Sequence, residues 1–234
     1  MDKRFLAIII VFALTFISVF DAEAKSKPVS TMLMDSLSTE NLLYKEVSQQ
    51  VKSLQRKKVL HAYNRYLSAN KQKWGYSKVV MSECEFALKD FDNDGIPELI
   101  LLWPNASTSS CFERVYAYKK GAVKELFQLY SGGIDGIYPT KGICVVTGIH
   151  TGGCWENIYK ISKGKCKCIL SRSGSDYVKG HEGDFYYNQF YKGKKKITKS
   201  KFHRLKKKLI GNSKNKKTYK YRKNTKKNRK SILM

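Results

Sequence analysis

The chain has 234 residues, with 45 Lys and Arg against 19 Asp and Glu, for a net charge of +26. Its 42% hydrophobic and 12% aromatic content excludes a wholly disordered chain and supplies enough apolar side chains for one domain with a real core. The charge is uneven: 20 basic residues and no acidic ones lie between Tyr191 and Met234, so the basicity belongs to the C-terminal part and not to the fold.

Lys3 and Arg4 precede an apolar run from Phe5 to Phe20, and Ala22-Glu23-Ala24 places small residues for cleavage before Lys25. That is the pattern of a secretory signal peptide over 1–24. The run is short for a membrane span, which takes about 20 apolar residues, and no later stretch could span a bilayer. Residues 25–37 read as a mobile leader, and a helix is predicted to begin at Ser38 or Thr39, with Glu40 in its first turn. Leu43, Val47, Val51 and Leu54, then Val59, Leu60, Tyr63, Tyr66 and Leu67, recur at helical spacing and predict a packing face. Leader and helix together fill 25–76.

A β-rich domain is predicted over 77–192, with strands near 80–89, 98–103, 112–119, 123–130, 143–149, 154–161 and 165–170. Lys119-Lys120-Gly121, His150-Thr151-Gly152-Gly153 and Ser162-Lys163-Gly164-Lys165 are turn signals, and Tyr186, Tyr187, Phe190 and Tyr191 suggest one more strand. Closely spaced strands with Gly-containing turns argue for an antiparallel meander. Thr198 or Ser200 caps a basic helix within 193–211, with Phe202, Leu205 and Leu209 as its apolar stripe and Gly211 at its end. The Lys- and Asn-rich residues 212–234 have a composition that predicts disorder.

The most informative stretch is Asp90-Phe91-Asp92-Asn93-Asp94-Gly95-Ile96-Pro97-Glu98. Asp90, Asp92 and Asp94 take alternate positions of a tight turn, which aims their carboxylates at one point. Gly95 follows where a sharp reversal needs positive φ, Ile96 can offer its carbonyl, and Glu98 can close the shell directly or through water. Calcium takes about 6–8 hard oxygens, and this set with water supplies them. Without a cation the carboxylates repel one another. A carboxylate three residues beyond Glu98 would complete an EF-hand, but Leu101 stands there. The apolar run Leu99-Ile100-Leu101-Leu102-Trp103 reads instead as a strand buried on both faces. Cys84, Phe86 and Leu88 alternate with polar residues in a half-buried strand before the loop.

Phe86 to Leu99 resembles the D-x-D-x-D-G-x-x-[DE]-L loop of FG-GAP and VCBS-type calcium repeats. It is more similar still to secreted bacterial proteins of unknown role that carry a single DxDxDGIPEL loop after a helix. The resemblance spans roughly 58–130 and is specific over Asp90–Leu99. One copy is present, where FG-GAP propellers repeat the loop in each blade. The resemblance implies Ca²⁺ at Asp90, Asp92, Asp94, Ile96 and Glu98 and implies no catalytic residues.

Export agrees with this reading, since extracellular calcium is plentiful. Cys84, Cys111, Cys144, Cys154, Cys166 and Cys168 form an even set that suggests disulfides in an oxidising compartment. Cys84 with Cys111 is the favoured pair, because both begin strands flanking one central strand. The chain has no Gly-x-Ser-x-Gly elbow, P-loop or HExxH motif. Gly153-Cys154-Trp155 lacks the surroundings of a papain-like nucleophile, and a zinc set of His150, Cys154, Cys166 and Cys168 competes with disulfides. Glu156, Asp176 and Glu182 are the candidate acids of an alternative reading, a secreted hydrolase of wall or sugar polymers. The Lys and Arg residues of 192–230 would attract teichoic acid, anionic lipid or nucleic acid, and Tyr219 and Tyr221 could stack on bases. The expectation is an α+β protein: an N-terminal helix on an antiparallel meander that carries a strand–calcium loop–strand unit. Its expected role is a secreted, non-enzymatic calcium-binding module held at the cell surface or wall.

Overall fold

The computed structural model describes residues 29–69, 71–74, 77–103, 111–130, 132–150, 152–175, 186–211 and 219–233. The predicted signal segment 1–24, the stretch holding Asp176, His181, Glu182 and Asp184, and residues 212–218 lie outside them. Residues 1–51 and 52–234 form separate compact units, and of the first only the helical stretch from Val29 is described.

Helix α1 runs over Val29–Leu67. It begins well before Ser38, so most of the expected leader is helical: no glycine or proline interrupts 29–67, and Pro28 stands just ahead of it, where proline is tolerated. Only the C-terminal part of the expected stripe packs. Val59, Leu60, Tyr63 and Leu67 are buried, whereas Leu43, Val51 and Leu54 are exposed. A two-stranded hairpin, β1 (Lys71–Trp74) and β2 (Ser77–Val80), follows.

The remaining strands are antiparallel and divide into two sheets rather than one. The first contains β3 (Glu85–Lys89), β4 (Glu98–Leu102), β5 (Cys111–Lys119) and β6 (Ala122–Tyr130). The second contains β7 (Gly132–Tyr138), β8 (Ile143–His150), β9 (Gly153–Ser162), β10 (Lys165–Ser175), β11 (Tyr186–Lys192) and β12 (Lys195–Lys196). Within each run every strand pairs with its neighbour in sequence. Strand β7 was not predicted: its three glycines and Asp135 are poor strand formers, and pairing with β8 supplies what propensity does not. Helix α2 (Lys199–Ile210) is capped by Thr198, whose hydroxyl accepts from the Lys201 N–H, and ends at Gly211.

Three apolar clusters stack these elements as helix, sheet, sheet, helix. Tyr63 and Leu67 of α1 meet Phe86, Leu99 and Leu101 on the outer face of the first sheet. Phe91, Ile100, Val115 and Phe127 meet Ile137, Cys144, Val146 and Ile161 between the sheets. Ile143, Ile158 and Phe190 on the outer face of the second sheet receive Phe202 and Ile210 of α2. Strand β4 is thus apolar on both faces because it is covered on both: Leu99, Ile100 and Leu101 are fully buried.

Residues 219–233 correct the expectation of disorder. Strand β13 (Arg222–Lys223) pairs with β3 at the edge of the first sheet, and α3 (Lys226–Lys230) follows, capped by Thr225. Composition misled because a few residues do the anchoring. Tyr219 and Tyr221 pack against the inter-sheet core, Ile232 and Leu233 against the helix-side core. Asn224 is 3% exposed and donates to the carbonyls of Leu67 at 2.9 Å and Met81 at 2.7 Å. No described helix is long and apolar enough to cross a membrane.

Among the described residues, Cys84, Cys144, Cys154, Cys166 and Cys168 form no disulfide. Sheet register shows why. Cys144 and Cys168 both stand opposite Tyr159, one on each side of β9. Two strand spacings come to about 9–10 Å, beyond the roughly 7 Å that a disulfide spans between Cα atoms. Cys84 stands just ahead of β3 and Cys111 begins β5, with β4 between those strands in the sheet order, and Cys84 is not in a disulfide. Cys154 pairs with Gly174, well along β9 from Cys166 and Cys168, so these thiols do not gather as a zinc set.

Candidate metal centre

The acidic loop joins β3 to β4, and its own side chains shape it. Asp90 Oδ1 accepts from the Asp92 N–H at 3.3 Å and Oδ2 from the Gly95 N–H at 2.8 Å. Asp94 Oδ1 accepts from the Ile96 N–H at 2.8 Å. Gly95 sits at φ 89°, a conformation that side chains disfavour, and Asn93 at φ 60° is the residue type that tolerates it best after glycine.

Three elements hold the loop from outside. Phe91 is fully buried between the sheets. From α1, Tyr63 OH donates to the Pro97 carbonyl and Arg56 Nη1 to the Gly95 carbonyl, each at 3.0 Å. From the turn between β9 and β10, the Lys163 N–H donates to Asp92 Oδ2 at 2.7 Å. Gly142, at φ 57°, closes the fit: a Cβ there would collide with the Ile161 carbonyl and press on Asp92 Cβ at 3.3 Å. Sequence reasoning found the loop but none of these supports, because each comes from a distant segment.

The fold brings Asp90, Asp92 and Glu98 together, with one carboxylate oxygen from each lying within 4.8 Å of the others. Glu98 is 3% exposed, and its Oε2 accepts from the Phe91 N–H at 2.9 Å. Asp94 is outside this trio, its Oδ1 engaged with Ile96, and Ile96 is half-buried in the same loop. Burial pushes Glu98 up to about 8, and the nearby charges of Asp92, Asp94 and Asp90 add to the effect. Burial likewise raises Asp94, with Asp92 and Asp90 adding. Burial and crowding thus disfavour the ionised forms of Glu98 and Asp94.

The donor set fits a hard cation. All its ligand atoms are carboxylate oxygens, and Asp92 Oδ1 is buried without a hydrogen-bond partner, which is costly unless something positive meets it. A cleft of about 360 Å³ opens beside Asp94 and Glu98, between Lys58 of α1 and Lys163.

The acids of the alternative reading are placed differently. Glu156 is 2% exposed beneath α2, where its Oε2 meets Arg172 at 3.0 Å and Lys206 at 2.5 Å. Arg172 in turn lies over the Tyr187 ring at 3.7 Å. Glu156 is thus part of the joint between helix and sheet, and Asp176 and Glu182 are outside the described residues.

No family model matches this chain, and neither a curated protein nor a solved structure does.

Proposed function

We propose that this is an exported, non-enzymatic calcium-binding module whose basic face holds it on an anionic polymer or surface outside the cell. One observation carries the reading: three carboxylates of one loop converge within 4.8 Å, and one buried oxygen among them lacks a partner. An all-oxygen set in a compact loop suits Ca²⁺, with Asp90, Asp92 and Glu98 as side-chain ligands and water completing the shell. Asp94 shapes the turn and adds charge, and Ile96 is the expected carbonyl donor. The ion's part is structural: it neutralises the acidic knot that joins β3 to β4, so binding free energy becomes folding free energy. The likeness of the loop to FG-GAP and VCBS-type repeats agrees with that role.

The surface supports the second half of the proposal. Lys192, Lys194, Lys195, Lys196, Lys199, Lys201, Lys207 and Lys208 are all exposed along β11, β12 and α2. Such a field draws polyanions and releases counterions on binding, so retention weakens steeply with salt. Calorimetry with CaCl₂ on the protein lacking residues 1–24 tests the metal; heat that disappears with Asp90→Ala and Asp92→Ala supports it, and no heat with the parent protein overturns it. Retention on purified cell walls tests the basic face, which is discarded if retention ignores both salt and the Lys195→Glu, Lys207→Glu pair.

A further inference from the structure

A second concave site is distinct from the cleft beside Asp94 and Glu98, and no part of the proposed function uses it. It is a groove of about 570 Å³ between α1, the edge strand β3 and the C-terminal segment 219–233. Arg56, Lys57, Lys89, Lys220 and Arg222 line it, and among the described residues no Asp or Glu does. Its floor is apolar, made by Leu60, Phe86, Leu88 and Ile232. Two of the cations are held in place. Arg56 donates to the Gly95 carbonyl, and Arg222 Nη1 donates to Ser231 Oγ, each at 3.0 Å; neither contact supplies negative charge.

We propose that this groove binds a single anionic amphiphile, an alkyl phosphate or one molecule of an anionic lipid. Its phosphate sits among the guanidinium and ammonium groups, and its alkyl chain lies along the Leu60, Leu88 and Ile232 floor. The chemistry follows from the lining. A lining of arginine and lysine selects an anion, and arginine's planar fork suits phosphate oxygens. An apolar floor adds affinity for each methylene it covers. The volume is in the range of small-molecule sites, about 300–1,000 Å³. Stacking of bases is disfavoured, because Tyr219 is engaged edge-on with Tyr221, its hydroxyl directed to Glu113, and Phe86 is buried. The site rests on neither the metal nor the basic face of α2.

Titration of the purified protein with dodecyl phosphate, below its micelle concentration, tests the proposal against inorganic phosphate and dodecyl maltoside. The expected result is binding at least about tenfold tighter than either control, since the groove alone offers both charge and apolar surface. Lys57→Glu with Lys220→Glu, both exposed positions, should remove that advantage, and the Lys195→Glu, Lys207→Glu pair on the other basic face should not. If the charge-reversed protein melts early, Lys57→Ala with Lys220→Ala gives the same comparison by trimming exposed side chains only. Equal affinity for inorganic phosphate, equal loss in the two charge-reversal pairs, or tighter binding of a single-stranded oligonucleotide by the groove residues each overturns the proposal.

Discussion

The Lys163 N–H donates to Asp92 Oδ2 at 2.7 Å, although 71 positions separate the two residues. The bond fastens the acidic loop of the first sheet to a turn of the second. It also divides one carboxylate: Oδ2 is taken by the backbone, while Oδ1 is buried without a hydrogen-bond partner.

Two substitutions at this position should therefore separate docking from metal binding. Asp92→Asn keeps an oxygen for Lys163 but removes the charge, so the metal-free protein should melt close to the parent while calcium stabilisation falls sharply. Asp92→Ala removes both and should cost about 1–2 kcal/mol even in EDTA. For the parent, calcium at a hundredfold excess over its dissociation constant should add about 2.7 kcal/mol. Thermal melts with and without calcium decide it; equal calcium shifts in all three proteins would remove Asp92 from the site.

Glu98 gives the metal-free protein a pH dependence with a definite sign. Burial raises it from an ordinary carboxylate value to about 8 in the folded state, with Asp92, Asp94 and Asp90 facing it. A folded state that favours the protonated acid is most stable below the unfolded pKa and loses that stability as pH rises towards 8. At about 1.4 kcal/mol for each unit of separation, the full loss is on the order of 5 kcal/mol from this group. Denaturant midpoints in EDTA should fall between pH 5 and pH 8, and Glu98→Gln should flatten the fall. A parent midpoint that rises over that window would contradict the placement of Glu98.

The C-terminal segment should behave as part of the fold. Asn224→Ala strands the Leu67 and Met81 carbonyls and removes one of the two oxygens that accept from Arg229 Nη1, and should cost about 2–3 kcal/mol in chemical denaturation. Deleting everything after Gly211 should cost more, because it also uncovers β3 and removes Tyr219 and Tyr221 from the core. An unchanged midpoint in both variants would return the segment to the status of a loose tail.

The thiols of Cys84, Cys144 and Cys166 should be unreactive while the protein is folded. Burial pushes Cys84 up to about 12, with the charge of Glu83 adding; burial also pushes Cys166 up to about 12, with Cys168 and Glu98 adding. Cys144, fully buried, lies well above the ordinary thiol range for the same first reason. Iodoacetamide at pH 8 needs the thiolate, so mass spectrometry should find these three unmodified in buffer and labelled in denaturant. Rapid labelling of Cys84 or Cys144 in the native protein would mean that their surroundings open.

Local chemistry was enough to read much of this molecule from its sequence. The alternation of Cys84, Phe86 and Leu88 and the unbroken run Leu99–Leu102 announced β3 and β4, because burial on one face or on both writes its own period. The spacing of Asp90, Asp92 and Glu98 around Gly95 announced the loop, and Thr198 and Gly211 bounded α2 through capping that acts within a few residues. What required the tertiary structure acts between segments. Only the folded chain separates Asp94 from the carboxylate trio, seats Gly142 beneath Asp92, and splits the strands into two sheets. Only the folded chain turns a lysine-rich terminus into an edge strand, since four apolar anchors and one satisfied asparagine outweigh a composition that by itself buries nothing. The physical reason is common to all of these: a side chain's own spacing fixes its local conformation, whereas its partners are fixed by where the rest of the chain returns.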